Sequence, residues 1–164
     1  MKFKYKNKKA KYNLTKTSRG KKGIKYICVH YTGGKGSAKN NIDYFTGGDR
    51  SASADFFIDD TGIYKFNPNC YRYYAWAVGD GHGKYGITNA NSVSIEVVNN
   101  GGAFTDTEIV YLARLVKWCM KKYKIKADHV VRHYDASKKQ CPAYYSGSET
   151  ANKRWSKLHK RITG

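Results

Sequence analysis

Two stretches, far apart in the chain, carry residue types that suit a divalent metal. The first is Tyr26-Ile-Cys-Val-His30-Tyr-Thr32, an apolar run that ends in a histidine. The second is Val131-Arg-His133-Tyr-Asp-Ala-Ser-Lys-Lys139-Gln-Cys141-Pro142. Two imidazoles and one thiolate make three zinc ligands and leave a fourth position for water or a substrate oxygen, as catalytic zinc requires. A closed structural site would need a fourth ligand. No CxxC pair supplies one, so His82 or His129 would have to be recruited. His129, four residues before His133, has the spacing of a helical metal pair. However, Asp128-His-Val-Val-Arg-His133 lacks the glutamate of the zincin motif and reads as a strand, so His129 is expected to be structural. His82 sits in a glycine-flanked loop and is a candidate substrate contact, and His159 reads as a surface residue.

Glu96 is the carboxylate that stands out. It lies in Ser92-Val-Ser-Ile-Glu-Val-Val98 between apolar neighbours, where an unpaired charge is costly. Either it does proton chemistry, or its face of the strand is partly exposed and holds an ion-pair partner. Lys138 and Lys139, read alone, are solvated loop charges.

The elements that must position these residues follow from periodicity. Ile24–His30 reads as a buried strand, with Ile24, Tyr26, Cys28 and His30 on one face and Lys25, Ile27 and Val29 on the other. Residues 32–37 are a glycine-rich rim that matches no phosphate-binding loop. Ser37 can cap a helix through Thr46 with Ala38, Ile42 and Phe45 inward. Ser51–Ile58 alternates as a strand, Asp59–Gly62 turns it, and Ile63–Phe66 completes a hairpin. Residues 71–91 read as one long loop, a length that is often functional in a compact domain. Ser92–Val98 is the clearest strand. Thr105-Asp-Thr-Glu108 is a capping box opening a helix whose stripe is Ile109, Leu112, Leu115 or Val116, Cys119 and Tyr123. Ala127–Arg132 reads as a strand, residues 135–140 as a loop, and Asn152–Ile162 as a short basic helix. Interleaved strands and helices with no internal repeat give an α/β or α+β class with a mixed sheet.

Composition bounds the rest. The 164 residues fit one core, with no apolar run long enough to span a membrane. The basic start, Met1 to Lys9, is not followed by the apolar segment of a signal peptide, so synthesis in the cytoplasm is expected. Cys28, Cys70, Cys119 and Cys141 are then expected as free thiols; Cys28 and Cys119 belong to the core, and Cys70, in a turn, has no assigned role. The net charge is +19, and residues 1–25 hold eleven Lys or Arg and no acid. Lys153, Arg154, Lys157, Lys160 and Arg161 form a second basic cluster. A polyanionic partner is expected: nucleic acid, or teichoic acids and anionic peptidoglycan. Charge alone does not separate them, and no helix-turn-helix signature, zinc-finger spacing or RNA-binding aromatic motif is present.

Taken in order, these pieces resemble a family. They are an early strand ending in His30, the segment Ser51 to Tyr64, then Tyr74-Ala-Trp76-Ala-Val-Gly79-Asp-Gly81, then Asn91-Ser-Val-Ser-Ile-Glu96-Val, then His133, seven residues, Cys141-Pro142 with Lys139 two before the cysteine. The order resembles the type 2 N-acetylmuramoyl-L-alanine amidases, the zinc amidases of phage endolysins and bacterial autolysins, which share a fold with peptidoglycan recognition proteins. The resemblance covers residues 24–145 and implies one α/β domain, a central mixed sheet flanked by helices, taken over residues 24–164; residues 1–23, read from their composition, are an extended basic arm. It implies Zn²⁺ held by His30, His133 and Cys141, with Glu96 as the proton-transferring carboxylate and Lys139 as a cation facing the metal. It also implies hydrolysis of the amide between N-acetylmuramic acid and L-alanine. The expected partners are peptidoglycan and, through the arm, anionic wall polymers; the protein is expected to be a monomer with no nucleic-acid or membrane partner. An endolysin made in the cytosol and acting on the wall after release fits the sequence; a missing C-terminal wall-binding domain is left open. The competing readings are a non-catalytic peptidoglycan-binding module and a basic nucleic-acid-binding protein. The chain departs from the family pattern at Ala54 and Asp55, where relatives place an aromatic, a His or a second catalytic Tyr. It departs again at Ala77, where a groove histidine is expected, and at Ala136, which replaces an aromatic.

Overall fold

Apolar alternation builds the sheet and decides which helix covers which face. The computed structural model describes residues 1–20 and 22–164. Eight strands are present among them: β1 (Tyr5–Lys6), β2 (Leu14–Lys16), β3 (Tyr26–Tyr31), β4 (Phe56–Asp59), β5 (Gly62–Lys65), β6 (Tyr73–Ala75), β7 (Ser92–Val97) and β8 (Val130–Arg132). The helices are α1 (Ala38–Thr46), α2 (Asp106–Tyr123), α3 (His133–Ser137) and α4 (Glu149–Thr163). Six strands form one mixed sheet in the order β1-β5-β4-β7-β3-β8, and β2 pairs with β6 apart from it. The β4–β5 hairpin is antiparallel, whereas β7 runs parallel to both β4 and β3, and β8 parallel to β3. This is the expected α/β class, a central mixed sheet flanked by helices.

The period of two separates two cores. Ile27, Val29, Phe56, Ile58, Val93, Ile95 and Val97 meet the stripe Ile109, Leu112, Leu115, Val116 and Cys119 of α2, with Leu158 and Ile162 of α4 behind. On the other face, Phe57 and Tyr64 meet Ala38 and Ile42 of α1. The helix starts are where the caps place them. Ser37 accepts from the Asn40 N–H, and the Thr105/Glu108 box closes reciprocally at the head of α2. All four cysteines are buried and unpaired. Among the described residues, no helix is long and apolar enough to cross a membrane.

Four elements differ from their sequence reading, the first being the strand expected over 127–132, which opens with a 3-10 turn at Ala127–His129 and pairs only from Val130. The strand expected over 51–58 begins only at Phe56, because Asp55 turns its carboxylate inward. There it accepts from the Ser94 N–H at 2.8 Å and from Asn67 Nδ2 at 2.6 Å. The loop expected over 135–140 starts as the short helix α3. Asp135 opens it, accepting from the Arg132 N–H at 2.8 Å and from the Arg132 guanidinium at 2.8 Å. The long loop over 71–91 contains β6, whose partner β2 lies in the basic N-terminal segment. That segment follows the domain surface: β1 extends the sheet beside β5, and Phe3 packs on Phe56 and Trp118. The alternation Phe3-Lys-Tyr5-Lys supplies the apolar side for this docking and leaves the lysines outward.

Candidate metal centre

The site forms at the carboxyl ends of β3 and β7, on the face away from α2. His30 and Glu96 are direct neighbours across the parallel pairing of these strands. Alternation turns Val29 and Ile95 into the α2 core, so His30 and Glu96 point the other way. His133 is the first residue of α3, immediately after β8 leaves the sheet beside β3. The loop from His133 to Cys141 is tied shut by the Tyr134 N–H, which donates to the Cys141 carbonyl at 2.9 Å. Arg132 anchors the same turn by donating to Tyr145 O at 2.6 Å and to Asn152 Oδ1 at 2.8 Å.

The three expected ligands therefore converge. His30 Nδ1 and His133 Nδ1 are 3.1 Å apart, Cys141 Sγ is 3.9 Å from His30 Nδ1, and one ligand atom from each residue falls within a 4.8 Å cluster. A tetrahedral ion with bonds of about 2.0–2.3 Å sets its ligand atoms roughly 3.3–3.8 Å apart, so these separations suit one ion. All three side chains are buried. Glu96 Oε1 is 4.0 Å from His30 Nδ1, while Glu96 Oε2 and His30 Nε2 are buried without a hydrogen-bond partner. A pocket of about 250 Å³ opens over the cluster, lined by His30, Phe45, Ser53, Trp76, Glu96 and Lys139 among others. It adjoins a shallower cleft of about 450 Å³ that shares Trp76, Ala77, His133 and Lys139 and adds Asp80. Another cavity, of about 460 Å³, is lined by Ile24, Lys25, Lys126 and His129, at the opposite end of β3 from this chemistry.

The electrostatics suit a cation. Burial, the neighbouring His133 and Lys139 hold His30 well below the usual imidazole range, and burial holds His133 down against the pull of Asp80. Both rings are thus neutral, the form that binds metal. Burial pushes the Cys141 thiol up to about 12, with Glu96 adding to the push and Lys139 opposing it, so ligation there must release a proton. Burial likewise pushes Glu96 up to about 8, with Lys139 pulling against it. A positive charge between these groups would favour the ionised thiolate and carboxylate.

Lys139 lines both parts of the groove, whereas Lys138 turns away onto the rings of Tyr85 and Tyr134 at 4.6 and 5.0 Å. Asp80 escaped the sequence reading. Its Oδ1 is 2.8 Å from His133 Nε2, and Ser137 Oγ donates to Oδ2 at 3.2 Å. Burial alone would raise this carboxyl, but the contacts with His133, Ser137 and Lys139 together outweigh it and hold Asp80 below the usual range. The contact fixes the ring so that Nδ1 faces the other ligands, the carboxylate–histidine arrangement of metal centres. Gly81 permits it: a Cβ there would stand 2.2 Å from the Ala136 carbonyl, so only glycine lets the turn Gly79–Gly81 reach α3.

The departures from the family pattern have a structural place. Ala54 is buried in the α1-side core, and Asp55 sits beneath the sheet with Asn67, Cys70 and the Ser94 N–H, away from the pocket. Ala52 and Ser53 line the pocket instead. Cys70 thereby gains a location, 3.8 Å from Asp55. Ala77 does line both cavities, leaving room where the family histidine would stand. His129 stacks on Tyr26 and contacts the Lys25 carbonyl, a structural role, and His82 lines neither part of the groove.

The family described as N-acetylmuramoyl-L-alanine amidase (Amidase_2) matches residues 19–144, most of the chain. The chain belongs to this amidase family. Among its curated relatives, the N-acetylmuramoyl-L-alanine amidase CwlL of Bacillus licheniformis is 34% identical over 131 residues, which is 74% of this chain and 36% of that protein. XlyB of Bacillus subtilis (strain 168), an amidase of the same description, is 31% identical over 122 residues, 71% of this chain and 36% of its own length. The chain thus spans little more than a third of the length of these two relatives, and less than half of the others it matches. Among solved structures, PlyL is similar with a TM-score of 0.73 at 26% identity, over 87% of this chain and 85% of that one. The catalytic domain of XlyA follows with a TM-score of 0.70 at 28% identity, over 85% and 86%. In this member of the family, the region before residue 19 lies outside the match.

Proposed function

We propose that this chain is the catalytic part of a zinc-dependent amidase of the endolysin type, which hydrolyses the bond between N-acetylmuramic acid and L-alanine in peptidoglycan. The observation that carries the proposal is the buried His30–His133–Cys141 cluster with Glu96 beside it, inside the region matched by the amidase family. The residues fit zinc: two neutral imidazoles and a thiol that can ionise leave one position free. When bound, zinc supplies Lewis-acid polarisation of a carbonyl and activation of water.

The chain's own groups supply the rest. Glu96, at the pocket wall, is the group to take the proton of the attacking water and deliver it to the departing nitrogen, because an amide's amine is a poor leaving group until protonated. Lys139 faces the same space and opposes the negative charge that develops on the amide oxygen. Asp80 orients His133, and Trp76 walls the substrate groove. The basic N-terminal surface and the cluster on α4 suit anionic wall polymers as a second contact. Synthesis in the cytosol, followed by action on the wall after release, fits this role.

Metal analysis tests the ligand set without relying on activity. The wild type is expected to bind one zinc per chain, with proton release. Cys141→Ser should lose tight binding, and Asp80→Ala should weaken it by about 10- to 100-fold, as loss of an orienting partner does. Full, tightly held zinc in Cys141→Ser would remove the cysteine from the set. A wild type with no affinity for zinc would favour a non-catalytic wall-binding module.

A further inference from the structure

Among the described residues, Trp76 is the one Phe, Tyr or Trp that lines both parts of the groove, so the position of its indole sets the groove's shape. What fixes it comes from the N-terminal segment. Trp76 Nε1 donates to Thr15 Oγ1 at 2.8 Å. The Trp76 N–H donates to Ser53 Oγ at 3.0 Å, the Ser53 N–H returns to the Trp76 carbonyl at 3.0 Å, and Ser53 Oγ itself donates to the Asn13 carbonyl at 2.5 Å. Ser53 is a pocket wall too. Between these contacts, β2 pairs with β6 in the register Leu14 to Ala75 and Thr15 to Tyr74, one residue short of Trp76.

Asn13 anchors the other end. It is 2% exposed and takes a left-handed backbone, φ 59°, which asparagine tolerates better than most residues. Its Nδ2 donates to the Phe45 and Gly48 carbonyls at 2.7 and 2.8 Å, and its Oδ1 accepts from the Arg50 N–H at 2.7 Å. Phe45 is also in the pocket wall. Three wall residues from three separate parts of the chain, Phe45, Ser53 and Trp76, therefore all hang from residues 13–15. Those residues precede position 19, where the family match begins.

We propose that residues 13–16 are a positioning strap for the active-site wall, in which the Thr15 hydroxyl holds the Trp76 indole where substrate meets it. The inference rests on the amidase reading above. It makes the basic segment part of the substrate groove, and Thr15 a positioning residue rather than a catalytic one. Lys16 faces solvent, while Asn13 and Thr15 turn their polar groups to Phe45 and Trp76 of the wall.

The test uses the full chain, zinc-loaded, with Thr15→Val, Thr15→Ala and Thr15→Ser, and a soluble N-acetylmuramoyl peptide as substrate. Valine keeps the shape and removes the acceptor, alanine guards against misfit of the valine, and serine restores the hydroxyl. Thr15→Val and Thr15→Ala should raise KM about threefold to tenfold, the scale of one hydrogen bond, with kcat and zinc content near wild type. The Trp76 indole N–H resonance should move in both, and Thr15→Ser should return KM and resonance to wild-type values. An unchanged KM in the valine and alanine variants, whatever their melting temperature, overturns the strap, and so does a serine variant that fails to rescue. A wild type that does not cut the substrate fails the amidase reading instead. The strap is then read from titration of the same peptide against the indole resonance, where equal affinity in all variants would overturn it.

Discussion

Glu96 lies where burial penalises its ionised form. It lies next to His30 across the strand pair, its Oε2 has no partner, and burial pushes its pKa up to about 8 from an ordinary 4.5. In the metal-free protein the raised value gives a signed expectation. The folded state holds the proton more tightly than the unfolded one, so this contribution to stability is full below pH 4.5 and is lost as pH rises through about 8. Glu96→Gln should therefore match the metal-free wild type near pH 4.5 and exceed it at pH 8 by up to about 4 kcal/mol in urea unfolding. The same variant, zinc-loaded, should keep its metal and lose about 10²- to 10⁴-fold in turnover, since the amide cannot take a proton. Wall lysis at a near wild-type rate would make Glu96 structural. At this scale the sequence was readable where residue type and the family's order coincide: His30, His133 and Cys141, expected together, lie in one cluster. Asp80 was not, because its partner is 53 residues away and nothing in Gly79-Asp-Gly81 announces a histidine above it.

Elements with strong periodicity matched their reading, and those held by side-chain anchors did not. The Ser37 cap of α1, the Thr105/Glu108 box of α2 and the stripes of both helices are local signals, as is the β7 alternation. β6 has no alternation to read, since Tyr73-Tyr-Ala75 becomes a strand only through pairing with β2. The strand over 51–58 looked continuous because its side chains alternate, but buried Asp55 diverts its backbone to Ser94 and Asn67. Asn13 is the other side-chain anchor. Asn13→Ala would leave two carbonyls and one N–H without partners and place alanine in a left-handed backbone. A loss of about 2–4 kcal/mol in denaturant unfolding is expected. A change within about 0.5 kcal/mol would mean that Asn13 anchors nothing.

For the whole molecule, the open question is what a charge of +19 is for. The N-terminal segment was read as a basic arm, and the structure lays it along the domain with Lys2, Lys8, Lys9 and Lys11 exposed. Composition reveals the charge but not the docking, which depends on Phe3 meeting Phe56 and Trp118, more than fifty residues on. Truncation would remove strap and charge together, so charge is better tested alone. Replacing Lys2, Lys8, Lys9 and Lys11 with Gln should weaken adsorption to isolated walls and flatten its salt dependence, because exposed charges are screened. Turnover of a small soluble muropeptide should stay the same. Unchanged adsorption at low salt would assign the charge to solubility. Loss of adsorption to DNA alone, at matched salt, would favour the nucleic-acid reading.

The bond that is cut tests the account most directly. Purified peptidoglycan digested with the zinc-loaded protein, with a chelated sample as control, can be resolved by mass spectrometry. The account predicts glycan strands that have lost their stem peptides, together with free peptides beginning in L-alanine, and neither product in the chelated sample. Intact lactyl–alanine links alongside cleaved glycosidic or peptide cross-bridge bonds would contradict it.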